Sequence, residues 1–255
     1  MIGIYCSSNK PHFWKRLHYN LSQNKEEFNL CIVGPNPPDY ELPKNIKYIQ
    51  SNVKPAQCWF IAANNVDGDI LYSVGDDLIL DAGTLDALYD IMKENDENTI
   101  ATAQFSDGLG SVPLPAGWQY EFVYYCWGED RRCVVSDFPL TVGSMIHRKT
   151  FMDIGVDKNF LALRWDDDIA QELIGRGGKT ILDPHHMVFE VSVVEGHRLS
   201  MNYIQDYTLF LNMWLKTNEN GTIVLSKQRE KPIEPLVYSS DILTVSQGIR
   251  DERWS

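Results

Sequence analysis

A chain of 255 residues is long enough for one large α/β domain, and its 44% hydrophobic and 23% charged residues are typical of a globular protein. The formal net charge of −12 argues against nucleic acid and anionic membranes as partners, because binding to both depends on Lys and Arg. A nucleotide diphosphate is still compatible with this charge, since carboxylates can recruit a divalent cation that reverses the local sign.

The cysteines and the start of the chain indicate the compartment. The five cysteines are widely spaced and form no Cys-x-x-Cys pair, which favours a reduced cytoplasm. The first apolar run begins at Ile2 without a basic and apolar leader, and no run approaches the ~20 residues that a membrane span needs. We therefore expect a cytoplasmic protein without a membrane span; the sequence leaves the oligomeric state open.

Strands and helices alternate in the first part of the chain. Apolar runs bounded by turn residues predict strands at Ile2–Cys6, Phe28–Val33, Ile46–Ile49, Ile70–Val74 and Ile100–Phe105. Helical spacing predicts helices around Phe13–Leu21, from Pro55 onward, and at Thr84–Met92. The alternation predicts an α/β fold with a mostly parallel central sheet flanked by helices.

The pattern loosens from Ser106 to Phe138 and then returns. Strands are predicted at Leu140–Ile146, Thr180–Leu182 and Met187–Val194, and helices at Asp167–Ile174 and Tyr203–Leu215. Periodicity is weak after residue 220. We therefore expect one domain over residues 1–220 and a C-terminal helical extension, with residues 221–255 following the domain.

Two adjacent carboxylates, Asp76 and Asp77, directly follow the apolar strand Ile70–Val74 and Gly75. Adjacent carboxylates repel each other unless a cation or a donor compensates. A hard divalent cation that also binds substrate phosphates would do so. Gly-Asp pairs are equally typical of ordinary turns, so this cluster alone leaves both interpretations open.

A second cluster, Asp166, Asp167 and Asp168, follows Trp165 at the start of a predicted helix. One aspartate at this position is typical of a helix cap. Three exceed what capping needs, and a carboxylate facing a cleft can act as the general base for an acceptor hydroxyl.

Taken together and in order, the motifs resemble the inverting GT-A glycosyltransferases of family 2. The resemblance spans roughly Met1 to Arg198 and depends on three segments: Ala62–Leu88, which contains Gly75-Asp76-Asp77, then Val142–Gly155, then Trp165-Asp166-Asp167 leading to Gly178 and Lys179. It implies a GT-A fold, with residues 1–105 binding the nucleotide sugar and residues 106–220 supplying the acceptor and catalytic half.

The resemblance also implies roles for individual residues. Asp77 matches the metal-binding aspartate that ends the D-x-D motif, with Asp76 beside it, whereas the first aspartate of the motif falls on Gly75. Asp167 matches the catalytic base, with Asp166 where the family often has Glu. Residues at the expected nucleotide-binding positions are Ser7, Asn9, Gly34, Asn36, Lys54, Gln57 and Asp76, the last in place of the missing first aspartate as a contact to the donor ribose.

A C-terminal histidine often completes the metal site in this fold. His197 lies in the segment most similar to that part of the family, while His185 and His186 are alternatives. Neutral imidazole is a common metal ligand, but a lone histidine is more often a surface or core residue. An aromatic group in the loose region is either an acceptor platform or ordinary core; its members are Trp118, Tyr120, Tyr124, Tyr125 and Trp127. Asp107 is a further candidate near the donor.

The implied activity is transfer of a hexose or deoxyhexose from a nucleotide diphosphate, with UDP as the expected nucleotide, to a hydroxyl of a glycan. The expected cofactor is Mn²⁺ or Mg²⁺, which would clamp the diphosphate. Asp167 would deprotonate the acceptor, and a single displacement would invert the anomeric carbon. Two alternatives are a non-catalytic nucleotide- or carbohydrate-binding module of the same fold and a nucleotidyltransferase, which uses a similar sheet.

Overall fold

An eight-stranded sheet forms the centre of the computed structural model, which describes residues 1–107, 142–190 and 201–238. Its spatial order is β3-β2-β1-β4-β7-β6-β8-β5. The strands are β1 Ile2–Ser7, β2 Phe28–Gly34, β3 Ile46–Gln50, β4 Ile70–Ser73, β5 Leu78–Leu80, β6 Thr99–Asp107, β7 Ser144–His147 and β8 Lys179–Glu190.

Most neighbouring strands are parallel. β3, β2, β1 and β4 pair in parallel, as do β6 and β8, whereas β7 and β5 each pair antiparallel to their neighbours. Because β7 lies between β4 and β6 and opposes both, β4 and β6 run in the same direction. The carboxyl ends of β1, β4 and β6 therefore lie at one edge of the sheet, as predicted for a mostly parallel α/β fold.

Helices cover both faces of the sheet. Side chains alternate along β1, so Ile2 and Ile4 face one apolar cluster with α1 and α3, while Tyr5 faces the other with α2, α5 and α6. The helices are α1 Trp14–Leu21, α2 Pro55–Asn65, α3 Thr84–Glu94, α4 Arg148–Ile154, α5 Trp165–Gly175 and α6 Met201–Trp214. None of these described helices combines the length and apolar character needed to cross a membrane.

Two differences from the sequence-based elements concern the second half. Residues 179–190 form one strand, although the sequence predicts two strands separated by a loop at His185 and His186. The register shifts between Ala103 and Gln104, whose partners are Asp183 and Met187, so a β-bulge takes up the residues between. The short helix α4 was not predicted, because its seven residues give too little periodicity.

The C-terminal part of the described chain packs on the domain. A hairpin of β9 (Leu215–Thr217) and β10 (Ile223–Leu225) follows α6, the C-terminal helix. Residues 221–238 contain β10 and, among the described residues, no helix. The division at residue 220 stays a prediction, and it falls inside this hairpin.

Arg148 fastens the connection between α2 and β4. Its guanidinium donates to the carbonyl oxygens of Ala63, Val66 and Gly68 at 2.5–2.7 Å. The next residue, Lys149, only forms an ion pair with Glu97 in which both side chains are more than half exposed.

Replacing Arg148 by Met should therefore destabilise the fold, because it leaves three carbonyl oxygens without a charged donor. We expect the free energy of unfolding in urea to fall by about 3 kcal/mol or more. Lys149→Met, the control at the neighbouring position, should change it by less than about 1 kcal/mol. Equal losses in the two variants would contradict this assignment.

Candidate active site

Asp76 is held rigidly at the carboxyl edge of the sheet, in the turn between β4 and β5. Its carboxylate is 8% exposed and accepts a hydrogen bond from Ser8 Oγ at 2.5 Å. Ser8 is fixed in turn by Trp14, whose Nε1 donates to the same Oγ at 2.6 Å. Arg16 donates to the main-chain oxygen of Asp76 at 3.2 Å. The orientation of Asp76 is thus set by the end of β1 and by α1.

The two adjacent carboxylates carry an electrostatic cost. Burial, and then the charge of Asp77, raise the pKa of Asp76 to about 7, although Ser8, Lys10 and Arg16 act in the opposite direction. A divalent cation would lower this cost by offsetting both charges.

Asp77 is half-buried, and its position explains the glycine before it. A Cβ atom at Gly75 would lie 2.7 Å from Oδ1 of Asp77, closer than real Cβ contacts. Gly75 therefore leaves the space that the Asp77 carboxylate occupies. Carboxylate oxygens in such a site are the ligands that Mg²⁺ and Mn²⁺ prefer, so the residues present fit a hard divalent cation.

The end of β8 lies beside this turn. Leu78 pairs with Glu190, and Glu190 also pairs with Asp107 at the end of β6. Residues 191–200, which include His197, follow Glu190 directly and lie outside the described residues. Within 1–107, 142–190 and 201–238, no three His, Cys, Asp or Glu side chains form a group that could hold a metal. His186 instead contacts Asp183, with Nδ1 and Oδ2 at 2.6 Å.

Asp166, Asp167 and Asp168 occupy the first turn of α5 and are 6%, 5% and 1% exposed. Arg164 precedes the helix with a φ of 62° and donates from Nη1 to Asp167 Oδ2 at 2.7 Å. Oδ1 of Asp167 is buried and has no hydrogen-bond partner among the described residues. Burial, and then the charge of Asp166, raise the pKa of Asp167. A carboxylate with one oxygen fixed by a donor and the other without a partner is suited to accept a proton.

Asp168 has a different environment from Asp167. It accepts hydrogen bonds from Trp214 Nε1 at 2.9 Å and from Arg229 at 3.0 and 3.2 Å. Both of its oxygens are therefore occupied. Asp167 thus has one oxygen without a partner among the described residues, whereas Asp168 has none.

The start of α5 packs against the same part of the sheet as the Asp76–Asp77 turn. The Trp165 ring lies 6.4 Å from the ring of Tyr5 in β1 and 5.5 Å from that of Trp59 in α2. Strand β4 pairs with β1 up to Tyr5 and Ser73. The two acidic clusters thus flank the carboxyl end of the same parallel strands, where α/β folds bind ligands.

The predicted nucleotide-binding residues lie around the ends of β1 and β2. Ser7 ends β1, and its buried Oγ has no partner among the described residues. Asn36 Nδ2 donates to the main-chain oxygen of Asn9 at 2.8 Å. A Cβ at Gly34 would lie only 1.7 Å from the main-chain oxygen of Ser8, so the two loops approach too closely for any side chain there.

Lys54 and Gln57 lie at the N-terminus of α2. Gln57 Oε1 accepts the main-chain N–H of Lys54 at 3.2 Å, which is half of a capping box. The side-chain oxygen Oε1 of Gln57 therefore holds the end of the helix. Its side-chain nitrogen Nε2 is the atom that could contact a ligand.

Two important neighbours were missed by the sequence analysis. Ser8, which anchors Asp76, and Arg164, which pairs with Asp167, were not singled out. The position of Arg164 three residues before Asp167 offered a signal, because residues three apart meet on a helix surface. No local signal connects Ser8 with Asp76, which lies 68 residues away.

Two predicted features lie outside the described residues. They are His197 and the aromatic group Trp118, Tyr120, Tyr124, Tyr125 and Trp127. Both stay predictions.

Comparison with solved structures identifies the fold. GalNAc-T7 with UDP, GalNAc and Mn²⁺ aligns with a TM-score of 0.61 and 12% identity over 86% of this chain and 48% of that one. S. aureus TarS 1–349 aligns with a TM-score of 0.56 and 12% identity over 83% of this chain and 70% of that one. The TarS complex with UDP-GlcNAc gives 0.56 and 10%, over 82% and 65%.

These similarities show that the chain has the GT-A fold, as the resemblance in the sequence implied. The chain spans about half of the GalNAc-T7 chain, at 48%. No protein-family model and no curated protein sequence matches it.

The raised pKa of the buried Asp167 carboxyl leads to a stability prediction. The unfolded carboxyl titrates near its ordinary pKa of about 3.9, whereas the folded one titrates higher. At pH 5 the folded Asp167 carboxyl keeps its proton, so the folded state avoids part of the cost of burying a charge. At pH 8 the carboxyl is ionised and the folded state bears this cost. Asp167→Asn should therefore raise the melting temperature more at pH 8 than at pH 5, as measured by calorimetry.

Asp153→Asn serves as the control for this measurement. The side chain of Asp153 is 72% exposed, so its substitution should have a small effect at both pH values. A gain for Asp167→Asn that is equal at the two pH values, or larger at pH 5, would contradict the prediction.

Proposed function

We propose that this chain is a metal-dependent inverting glycosyltransferase. It moves a hexose or deoxyhexose from a UDP-sugar to a hydroxyl of a glycan. The observation that carries the proposal is the pair of buried acidic clusters at the carboxyl edge of a GT-A sheet. One cluster, Asp76–Asp77, suits a cation; the other presents the unpartnered Oδ1 of Asp167. Solved structures of the same fold contain UDP, UDP-GlcNAc, or UDP with GalNAc and Mn²⁺.

The donor would bind at the ends of β1 and β2. Ser7, Asn9, Gly34 and Asn36 are grouped there, and Lys54 and Gln57 at the start of α2 complete the proposed nucleotide site. Ser7 is suited to this role because its Oγ is a buried polar atom without a partner among the described residues. The proposal keeps the division into a donor half, residues 1–105, and an acceptor half, residues 106–220.

Asp77 and His197 would hold Mn²⁺ or Mg²⁺. A bound cation supplies Lewis-acid stabilisation of the departing diphosphate. Asp76 would contact the donor beside this site, and its carboxylate is fixed by Ser8. Asp76 is buried, whereas Asp77 is half-buried and so the more accessible of the two to a cation.

Asp167 would take the proton from the acceptor hydroxyl. Arg164 holds Oδ2, which leaves Oδ1 as the proton acceptor. The raised pKa of Asp167 makes it a stronger base than an ordinary carboxylate. Asp166 shapes this property, because its charge is the largest cause of that shift after burial. A single displacement at the anomeric carbon then inverts its configuration.

Donor binding and chemistry should separate in two variants. Asp77→Asn should lose the manganese-dependent part of the thermal stabilisation by UDP and UDP-GlcNAc, since a ligand that binds the native state raises its melting temperature. Asp167→Asn should keep this stabilisation but lose transfer by roughly 10²- to 10⁴-fold, the usual contribution of a general base. Transfer is measured as acceptor-dependent release of UDP.

Asp153→Asn is again the control and should behave like the wild type in both assays. Stabilisation by UDP-sugars without any turnover, with a range of glycan acceptors, would indicate a binding module instead. If neither nucleotide stabilised the wild type with Mn²⁺ present, the proposed donor would be wrong.

A further inference from the structure

Residues 226–236, here called the C-terminal strap, run along one face of α5. Gln171 Nε2 donates to the main-chain oxygen of Ser226 at 2.7 Å. At Gly175, a Cβ would lie 2.4 Å from the main-chain oxygen of Lys227. Arg229 contacts Asp168 in the first turn. Positions 168, 171 and 175 are three and four residues apart, so the first residues of the strap, 226–229, contact a single face of the helix.

Arg229 joins two buried carboxylates. It donates to Asp168 from Nε at 3.2 Å and from Nη2 at 3.0 Å, and to Asp157 Oδ2 from Nη2 at 2.8 Å. The side chain of Arg229 is 6% exposed, and those of Asp157 and Asp168 are each 1% exposed. Buried charges in this arrangement cost several kcal/mol if one partner is removed. The guanidinium is therefore the counter-charge that allows both carboxylates to remain inside.

The strap is itself fixed at both sides of Arg229. On its N-terminal side, the main-chain N–H of Ser226 donates to the carbonyl oxygen of Trp214 at 2.7 Å. On its C-terminal side, the N–H of Glu230 donates to Met213 O at 2.9 Å and that of Leu236 to Val156 O at 2.7 Å. Arg229 thus presents its guanidinium from a backbone that is held in place.

Arg229 contacts Asp168, which is the residue next to the candidate base, Asp167. Asp168 N–H donates to the carbonyl oxygen of Arg164 at 2.9 Å, and the Arg164 side chain holds Asp167 Oδ2. The first turn of α5 is therefore held from two directions. Arg164 fixes it through Asp167, and Arg229 fixes it through Asp168.

We propose that Arg229 is a positioning residue for sugar transfer, which fixes the first turn of α5 so that Asp167 faces the acceptor. This inference rests on the proposed function and extends the working part of the protein into the segment after residue 220. Because the strap contacts α5 and not the Asp76–Asp77 turn, its effect falls on the chemical step rather than on donor binding.

The decisive variant is Arg229→Lys, which keeps a cation but cannot contact both carboxylates with a planar fork. We expect kcat for transfer to fall by at least about tenfold, because small displacements of a reacting group are costly, while the KM for the UDP-sugar stays within about twofold. Amide hydrogen exchange should become faster in residues 164–168 and stay unchanged in residues 70–80. Arg229→Gln should show the same pattern more strongly.

Glu230→Gln is the matched control. Glu230 is the neighbouring residue of the strap and forms an exposed ion pair with Lys216 at 3.1 Å, so its substitution should leave kcat, KM and exchange unchanged. If Arg229→Lys matched the wild type in kcat and exchange, the proposal would be wrong. It would also be wrong if kcat, KM and exchange throughout the domain all changed together, since that would show a general loss of stability.

The exchange measurement separates this inference from the proposed function. If the wild type transferred no sugar, the glycosyltransferase assignment would fail, and exchange in residues 164–168 would still decide whether Arg229 fixes the first turn of α5. A different outcome overturns the proposal. If the wild type is active and Arg229→Lys speeds exchange only in residues 164–168 without lowering kcat, Arg229 fixes the helix turn but does not position the reaction.

Discussion

The burial of carboxylates at one edge of the sheet is the constraint on which the site depends. Asp76, Asp167 and Asp168 are each less than a tenth exposed, and burial raises the pKa of all three. Each has a dedicated donor: Ser8 for Asp76, Arg164 for Asp167, and Arg229 for Asp168. Charges held in this way cost stability, and proteins keep such costs mainly where function needs them.

The three donors leave the carboxylates in different states, and this difference separates their roles. Asp168 has both oxygens occupied, which is the arrangement of a structural ion pair. Asp167 has one oxygen held and one without a partner among the described residues. Two neighbouring residues of one helical turn thus differ in environment because Arg229 and Trp214 reach only one of them. The proposed roles therefore depend on environment rather than on residue type.

The fold was largely predictable because its signals are local and repeated. Apolar runs ending in turn residues predicted the ends of β1, β2, β4 and β6 with errors of no more than two residues. The order of the motifs implied the GT-A fold. The misses have physical reasons. β5 has three residues and α4 seven, too few for a period to show. The bulge in β8 depends on pairing with β6, which no local pattern encodes.

The sequence singled out the carboxylates of the candidate site but not the residues that hold them. Asp76, Asp77 and Asp167 stand out because adjacent carboxylates repel each other unless a cation or a donor compensates. Arg229 lies 61 residues from Asp168 in a segment whose weak periodicity suggested an appendage. It is one of three cations in a polar stretch, with Lys227 and Lys231 on either side, and only the three-dimensional structure shows that it is buried between two aspartates. The long-range contacts of Arg229 and Trp214 therefore distinguish Asp168 from Asp167, whose donor Arg164 lies only three residues away.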